Sequence, residues 1–312
     1  MVGLARSDEA RRYLEGAGAR AVAGDLGDED SLALGMKGCD VVYHVAGLNG
    51  MCLRNPSELR RVNVEGSRAV VRAAARAGAR RLVYTSSATT IGERQGTMGH
   101  ETSAHRGFFL SAYERSKFDA ERLLFEEAGA HGIELVSVNP SSVQGPGRSG
   151  GTARILRAYL NGRLRLFLDT EVSIVDIDDC GRGHLLAEER GVAGERYILS
   201  GATMTTAMAI DTIGRVTGLQ ERPRAVPPRL ALTGAALIEG GAHLARREAP
   251  VCREMVRTLV HGHAYDGSRA ARELGLAYTP LEATLRRTAE WLVRQGLVTR
   301  PLPRLERQDP TY

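Results

Sequence analysis

Short apolar runs alternate with long helical stretches through the first half of the sequence, and this alternation limits the fold more than any other feature. Four runs rich in Val and Ile end in small or polar residues: 19–25, 40–47, 81–87 and 133–140. The stretches between them are long enough for helices and are bounded by Ser, Asp and Gly: 28–38, 57–79 and 111–132. This pattern predicts an α/β fold with a parallel sheet covered on both faces.

The second half of the sequence breaks this rhythm. Gly, Pro and Ser cluster at 139–151 and predict a loop. A strand and helix at 172–191 and a strand at 195–201 follow, and we expect the segment from Ile174 to Ser200 to return to the sheet. The remainder has the pattern of helices separated by Pro-rich turns. The chain thus divides into a sheet-forming part and a smaller, mostly helical lobe: 1–145 with 171–201, and 146–170 with 202–312.

Composition and charge exclude several classes of protein. No apolar run reaches the roughly 18 residues of a membrane-spanning helix, and the N-terminus has no charged-then-apolar signal segment. We therefore expect no membrane span and a cytoplasmic location. The net charge of +5 comes from basic residues interspersed with acids, which argues against nucleic-acid binding.

The four cysteines and two close histidines do not have the spacing of a disulfide framework or a metal site. Neither a CxxC motif nor metal-ligand spacing occurs among the cysteines, so we expect reduced, structural thiols: Cys39, Cys52, Cys180 and Cys252. His261 and His263 have no cysteine or carboxylate cluster beside them in the sequence. We expect them to lie at the surface or at a hinge, and we expect no metal.

Lysine is rare in this chain. Only two of the 42 Lys and Arg residues are lysines, Lys37 and Lys117. Lys117 lies four residues after Tyr113, so both side chains share one face of a helix. A phenol, with a pKa of about 10, is a poor acid or base at neutral pH unless a cation stabilises its phenolate. A compact ammonium can do this, whereas a guanidinium has a different donor geometry. The pair indicates general acid–base chemistry on a carbonyl or alcohol; the alternative is an ordinary amphipathic helix.

Two serines follow the apolar run at 81–85. The carboxyl ends of parallel strands line the ligand crevice of such sheets, so Ser86 or Ser87 is placed to hydrogen-bond a substrate oxygen. Serines at this position also commonly turn the chain or cap a helix.

Together, Ser87, Tyr113 and Lys117 resemble the catalytic triad of the short-chain dehydrogenase/reductase superfamily. Longer segments resemble its extended branch, the NAD-dependent epimerase/dehydratase family: GDLGDEDSL (24–32), VVYHVAG (41–47), VNVEGS (62–67), NPSSVQGPG (139–147), VDIDDCGRGHLLA (175–187) and 270–292. Within that family, residues 161–201 are most similar to the hopanoid-associated sugar epimerase and dihydroflavonol 4-reductase-like group.

This resemblance implies a Rossmann-type sheet with a smaller substrate-binding lobe, and hydride transfer between a nicotinamide cofactor and a substrate carbon. By analogy with the family, Tyr113 would move the proton, Lys117 would lower the pKa of Tyr113 and hold the ribose, and Ser87 would orient the substrate oxygen. The dinucleotide would lie on the sheet-forming part, and a homodimer is a family expectation.

The resemblance also implies further cofactor contacts, at the adenine, along the strand that the cofactor crosses, and beside the nicotinamide: Asp25 and Leu26, Ala46 and Gly47, Pro140 and Ser142. NAD-binding relatives place an acid at the end of the second strand, whereas NADP-binding ones use Arg. This chain has Arg6 and Ser7 there, so we expect NADP, with NAD as the alternative.

Members of the family begin with a strand, a GxxGxxG turn and a helix, and MVGLARSDEA matches the end of the strand that follows. About 30 residues that would cradle the pyrophosphate are thus expected upstream. The alternative is a real truncation with impaired cofactor binding.

Two classes of function remain at this point. The first is an NAD(P)-dependent reductase, epimerase or dehydratase acting on a sugar-like or polyketide- or flavonoid-like small molecule. The second is a noncatalytic relative that acts as a binding or regulatory module. The Ser, Tyr and Lys set favours catalysis. An apolar stripe in 227–251 could line a substrate pocket, and ordinary core packing explains it equally well.

Overall fold

The computed structural model describes residues 1–305, and the last seven residues of the predicted helical lobe, 306–312, lie outside the described residues. The strands are β1 (Val2–Ala5), β2 (Arg20–Ala23), β3 (Val41–His44), β4 (Arg81–Thr85), β5 (Met98–Gly99), β6 (Glu134–Pro140), β7 (Ser142–Gln144), β8 (Leu166–Phe167), β9 (Glu171–Asp176), β10 (Arg196–Leu199), β11 (Ala202–Thr205), β12 (Arg224–Ala225) and β13 (Ala264–Tyr265).

The α-helices are α1 (Asp8–Gly16), α2 (Glu29–Met36), α3 (Ser57–Leu59), α4 (Gly66–Ala77), α5 (Ala112–His131), α6 (Ala153–Leu160), α7 (Ile177–Arg190), α8 (Thr206–Thr217), α9 (Pro228–Leu244), α10 (Arg253–His261) and α11 (Leu281–Arg294). Three short helical segments complete them, a 3₁₀ turn and two π-helical turns: Ala88–Ile91, Arg60–Glu65 and Ala270–Leu274.

The central sheet has four parallel strands in the order β10, β6, β4, β3. Successive residues of a strand point to opposite faces, and β4 illustrates this: Leu82 and Tyr84 lie in one apolar cluster, while Val83 lies in the other. Helices α4 and α5 supply the first cluster, and α7 supplies Ala187 to the second. The predicted Rossmann-type α/β fold, with both faces of the sheet covered, is confirmed.

The first two strands stand apart from the central sheet. β1 pairs in parallel with β2 as a separate two-stranded sheet. Within the described residues, β3 is hydrogen-bonded to β4 alone, so it forms an edge of the central sheet. The strand and glycine-rich turn expected ahead of residue 1 remain a prediction.

The segment around 174–200 behaves only partly as predicted. β10 joins the central sheet beside β6, whereas β9 pairs with β7 and antiparallel with β11 in a second sheet. The expectation that this whole segment returns to the central sheet was wrong for β9. The apolar run alone cannot distinguish the two sheets, because a buried strand has the same pattern in either.

The apolar stripe at 227–251 does not pack into the core. Of the residues in α9 only Ala235 is buried, while Leu230, Leu237 and Leu244 are 65%, 73% and 88% exposed. The core-packing interpretation of this stripe is therefore wrong. Within residues 1–305, no helix combines the length and apolarity that crossing a membrane requires.

A disulfide joins the loop after β3 to the residue before α10. Cys52 and Cys252 are bonded, with their Cα atoms 5.6 Å apart, whereas Cys39 and Cys180 are free. The expectation of reduced thiols is thus wrong for the bonded pair. These two cysteines are 200 positions apart in the sequence, so their spacing gave no sign of the bond.

Reduction of this disulfide is expected to lower the free energy of unfolding by about 2–4 kcal/mol, since a cross-link over a long loop restricts the unfolded chain. Thiol titration of the unreduced, denatured protein should find the two free cysteines, and all four only after reduction. Cys39→Ser serves as the control, because it should leave the effect of reductant on stability unchanged. Four reactive thiols before reduction would contradict the assignment.

Candidate active site

Helix α5 carries Tyr113 and Lys117 in its first two turns, and its start is fixed by two polar side chains. The Ser111 hydroxyl caps the helix by accepting a hydrogen bond from Glu114 N at 3.0 Å. The Glu114 carboxylate reaches back and accepts from Leu110 N at 2.7 Å. This arrangement resembles a capping box, which the sequence analysis overlooked although S-x-x-E is its signature.

Lys117 is buried at the carboxyl end of β4. Its ammonium donates a hydrogen bond to the Thr85 carbonyl at 2.7 Å and lies 4.5 Å from the centre of the Tyr84 ring. Burial lowers the pKa of Lys117 to about 8, against the opposing effect of the Glu121 carboxylate. The ammonium is therefore mostly protonated at neutral pH, and its pKa lies close to that pH.

Ser87 lies beside the phenol of Tyr113. Its hydroxyl caps the 3₁₀ turn Ala88–Ile91 and accepts a hydrogen bond from the Thr89 hydroxyl at 2.9 Å. Burial raises the pKa of Tyr113, while the neighbouring Ser87 hydroxyl and the Arg148 charge lower it. The phenol is consequently protonated at neutral pH and interacts with the Ser87 hydroxyl.

Asn63 connects the strand end at Gly47 with helix α5. Its side chain exchanges two hydrogen bonds with the backbone of Leu48, at 2.7 and 2.9 Å, and donates a third to the Ser116 hydroxyl at 2.9 Å. A Cβ atom on Gly47 would lie 3.2 Å from Asn63 Oδ1 and 3.8 Å from Lys117 Nζ. The absence of a side chain at Gly47 therefore allows the backbone to approach Asn63 closely, next to the Lys117 ammonium.

The residues expected at the adenine end lie at the carboxyl ends of β1 and β2. Arg6 is 83% exposed and faces the Asp25 carboxylate at 3.8 Å. The Asp25 side chain accepts a hydrogen bond from Gly27 N at 2.9 Å, and Ser7 caps α1 by accepting from Ala10 N at 3.2 Å. The Arg6 side chain is thus largely exposed beside Asp25.

The other predicted contacts lie at the ends of the central strands or against the core. Leu26 packs against the first apolar cluster, and Ala46 is exposed after β3. Pro140 is the buried last residue of β6, and the Ser142 hydroxyl lies 2.7 Å from that of Thr152. Ala46, Ser87 and Pro140 thus lie at or just beyond the carboxyl ends of the neighbouring strands β3, β4 and β6, and Lys117 reaches the end of β4 from α5.

A buried carboxylate, not predicted from the sequence, belongs to a hydrogen-bond network that includes the Ser87 backbone. Glu121, one turn after Lys117 on α5, is 4% exposed. It accepts hydrogen bonds from Asn139 Nδ2 at 2.6 Å, from the Ser137 hydroxyl at 3.1 Å and from Arg196 Nη1 at 3.2 Å. Asn139 Nδ2 also lies 3.3 Å from the Ser87 carbonyl. This network fixes the backbone that presents the Ser87 hydroxyl.

His44 is a second side chain that the analysis missed. It is 3% exposed at the end of β3, stacks on the Tyr84 ring at 5.3 Å and faces the Ser67 hydroxyl at 2.7 Å. Burial and the charge of Lys117 lower its pKa to about 3, so it is neutral. The sequence signal for this residue is a histidine within the otherwise apolar run VVYHVAG.

Comparison with known proteins identifies the family. Residues 1–200 match the NAD dependent epimerase/dehydratase family. The chain belongs to this family. It is therefore an enzyme of a group whose members include nicotinamide-dependent reductases, epimerases and dehydratases.

Several known proteins are similar to this chain over most of its length and most of their own. "Sterol demethylase protein B" of Methylococcus capsulatus is 31% identical over 311 residues, which cover 95% of this chain and 94% of the relative. "Putative dihydroflavonol 4-reductase" of Synechocystis is 31% identical over 285 residues, covering 89% and 82%. The crystal structure of gox2253 superposes with a TM-score of 0.80 at 27% identity, covering 96% and 91%.

Proposed function

We propose that this chain is an NADP(H)-dependent oxidoreductase that reduces the carbonyl group of a small molecule, with Tyr113 as the proton donor. The observation that supports this most is the convergence of the Ser87 hydroxyl, the Tyr113 phenol and the buried Lys117 ammonium at one strand end. The similarity to a protein named as a reductase favours reduction over epimerisation within the family.

The proton-transfer step assigns one role to each side chain. When bound, the nicotinamide cofactor supplies the hydride. The Ser87 hydroxyl donates a hydrogen bond to the substrate carbonyl oxygen and holds it beside the phenol. Tyr113 then donates its proton to that oxygen, and the positive charge of Lys117 stabilises the phenolate that remains.

The residues present fit the nicotinamide end of such a cofactor. Gly47 places no side chain against the Lys117 ammonium, which is suited to hydrogen-bond a ribose hydroxyl. At the other end, the exposed guanidinium of Arg6 is suited to a 2′-phosphate, and Asp25 beside it is suited to the adenine. NADP is therefore the preferred cofactor in this proposal, and NAD is the alternative.

Two experiments test the proposed function. Fluorescence titration with NADPH and NADH should give saturable binding with NADPH preferred, and Arg6→Ala should weaken NADPH more than NADH. Loss of nicotinamide absorbance should then be followed with a panel of ketones and aldehydes. If the folded chain binds NADPH but reduces no carbonyl compound, the proposed reduction is wrong. Epimerisation or dehydration would then be the remaining activities of the family, since both return the cofactor unchanged.

Replacing the buried lysine is expected to alter both rate and pH dependence. Lys117→Arg should lower kcat/KM for carbonyl reduction by about 100-fold, because a guanidinium lacks the shape of the ammonium site. In the wild type kcat/KM should fall as the pH rises above about 8, where Lys117 loses its charge. The exposed Lys37 provides the matched control, since Lys37→Arg should change neither quantity. An alkaline decline that is identical in Lys117→Arg would refute the assignment.

A further inference from the structure

Three side chains of metal-ligating type meet away from the candidate active site. Glu93 follows the 3₁₀ turn Ala88–Ile91, His261 is the last residue of α10, and His263 comes directly before β13. Their side chains are 2%, 6% and 17% exposed. One potential ligand atom of each lies within 4.8 Å of those of the other two. The surface position expected for the histidines was wrong, and the hinge alternative is not tested; their carboxylate neighbour, Glu93, lies about 170 positions earlier in the chain.

Several polar atoms in this cluster have no hydrogen-bond partner among the described residues. The His261 Nδ1 atom lies 2.6 Å from the Gly262 carbonyl, so it carries the proton and leaves the Nε2 lone pair available. The Nε2 atoms of His261 and His263 and the Oε2 atom of Glu93 are all buried without a partner. A histidine whose Nδ1 donates to a backbone carbonyl has the usual arrangement of a metal ligand.

The surrounding charges are compatible with a cation. Glu93 Oε1 lies 2.7 Å from His263 Nδ1, and the Tyr265 hydroxyl is 2.9 Å from the same nitrogen. Arg106 Nη1 donates a hydrogen bond to the Glu93 carbonyl at 3.3 Å, and the guanidinium is paired with the Glu114 carboxylate.

We propose that Glu93, His261 and His263 bind one Zn²⁺ ion and leave its fourth position to water. Two imidazoles and a carboxylate form a donor set that zinc prefers, with ligand distances of about 2.0–2.2 Å. Ligands at that distance in a tetrahedron are about 3.3–3.6 Å apart. The present spacing, within 4.8 Å, is wider than this, so metal binding would draw the three side chains together.

Such a site joins the helical lobe to the candidate active site. Glu93 lies six residues after Ser87. From α10, the Glu254 carboxylate accepts a hydrogen bond from Ala112 N, and Arg257 Nε donates to the Leu110 carbonyl at 2.9 Å. The Cys52–Cys252 disulfide adjoins the other end of this helix. The disulfide would thus hold the start of α10 to the loop after β3, and the zinc ion would hold its end to the segment that follows Ser87.

Metal titration of the tag-free full chain tests this proposal. After treatment with a chelator, ZnCl₂ is titrated by calorimetry and CoCl₂ by visible absorbance. We expect one equivalent of either metal, and visible cobalt bands without sulfur-to-metal charge transfer, which excludes the free cysteines as ligands. ZnCl₂ should also raise the thermal midpoint of the wild type, because it binds the folded state.

Three ligand variants and one control complete the experiment. Glu93→Gln, His261→Gln and His263→Gln should each weaken zinc binding by about 100-fold or more. His131→Gln alters a histidine that is 41% exposed and should bind zinc like the wild type. A wild type that binds no zinc, or whose thermal midpoint does not respond to it, overturns the proposal even if a variant fails to fold. Unchanged affinity in all three variants overturns it as well.

Discussion

Tyr113→Phe is expected to lower kcat/KM for carbonyl reduction by about 10²- to 10⁴-fold, the usual contribution of a positioned proton donor. The substitution removes only the hydroxyl that faces Ser87, so the helix and its Ser111 cap stay intact. Cofactor affinity from fluorescence titration should change little. The loss should therefore appear in kcat, with the carbonyl compound that reacts fastest with the wild type as substrate.

A second tyrosine provides the control for this prediction. Tyr13 lies on α1 and is 78% exposed, so Tyr13→Phe should retain wild-type kinetics. A Tyr113→Phe variant with full activity would mean that another group donates the proton. The Ser87 hydroxyl would then be the next group to replace.

The buried ion pair between Arg106 and Glu114 gives the largest expected effect on stability. Both side chains are 2% exposed. Glu114→Ala should lower the free energy of unfolding by about 3–5 kcal/mol, because it leaves the guanidinium buried and unpaired. Burial raises the pKa of Glu114, although the charge of Arg106 opposes this. The attraction between the two charges therefore does not fully compensate for the cost of removing the carboxylate from water. Replacing both residues with apolar ones should therefore recover part of the loss.

An exposed pair on the same helix is the matched control. Arg115 and Asp119 are 70% and 34% exposed and lie 3.7 Å apart. Asp119→Ala should cost only about 0–1 kcal/mol in the same urea denaturation experiment. If Glu114→Ala costs no more than Asp119→Ala, the buried pair is not the stabilising element described here.

The central strands and the candidate catalytic pair could be predicted from sequence because their signals are local. An apolar run of Val and Ile between turn residues predicted β4 and β6, and two residues four positions apart necessarily share a helix face. The rarity of lysine made Lys117 conspicuous in a chain rich in arginine.

The remaining features depend on contacts between distant parts of the chain, which local patterns do not encode. Glu121 meets Arg196 across 75 positions, His263 meets Glu93 across 170, and Cys52 meets Cys252 across 200. The exposure of α9 could not be predicted for the same reason. An apolar stripe predicts a buried face only if another element packs against it.

Deuterium transfer tests the central claim most directly. The wild-type chain is incubated with NADPH deuterated at the transferable position and with its best carbonyl substrate, and the alcohol is analysed by mass spectrometry and NMR. We expect one deuterium on the former carbonyl carbon, and a much lower rate of its appearance with Tyr113→Phe. An alcohol that forms without deuterium on that carbon would contradict hydride transfer from the cofactor to the carbonyl.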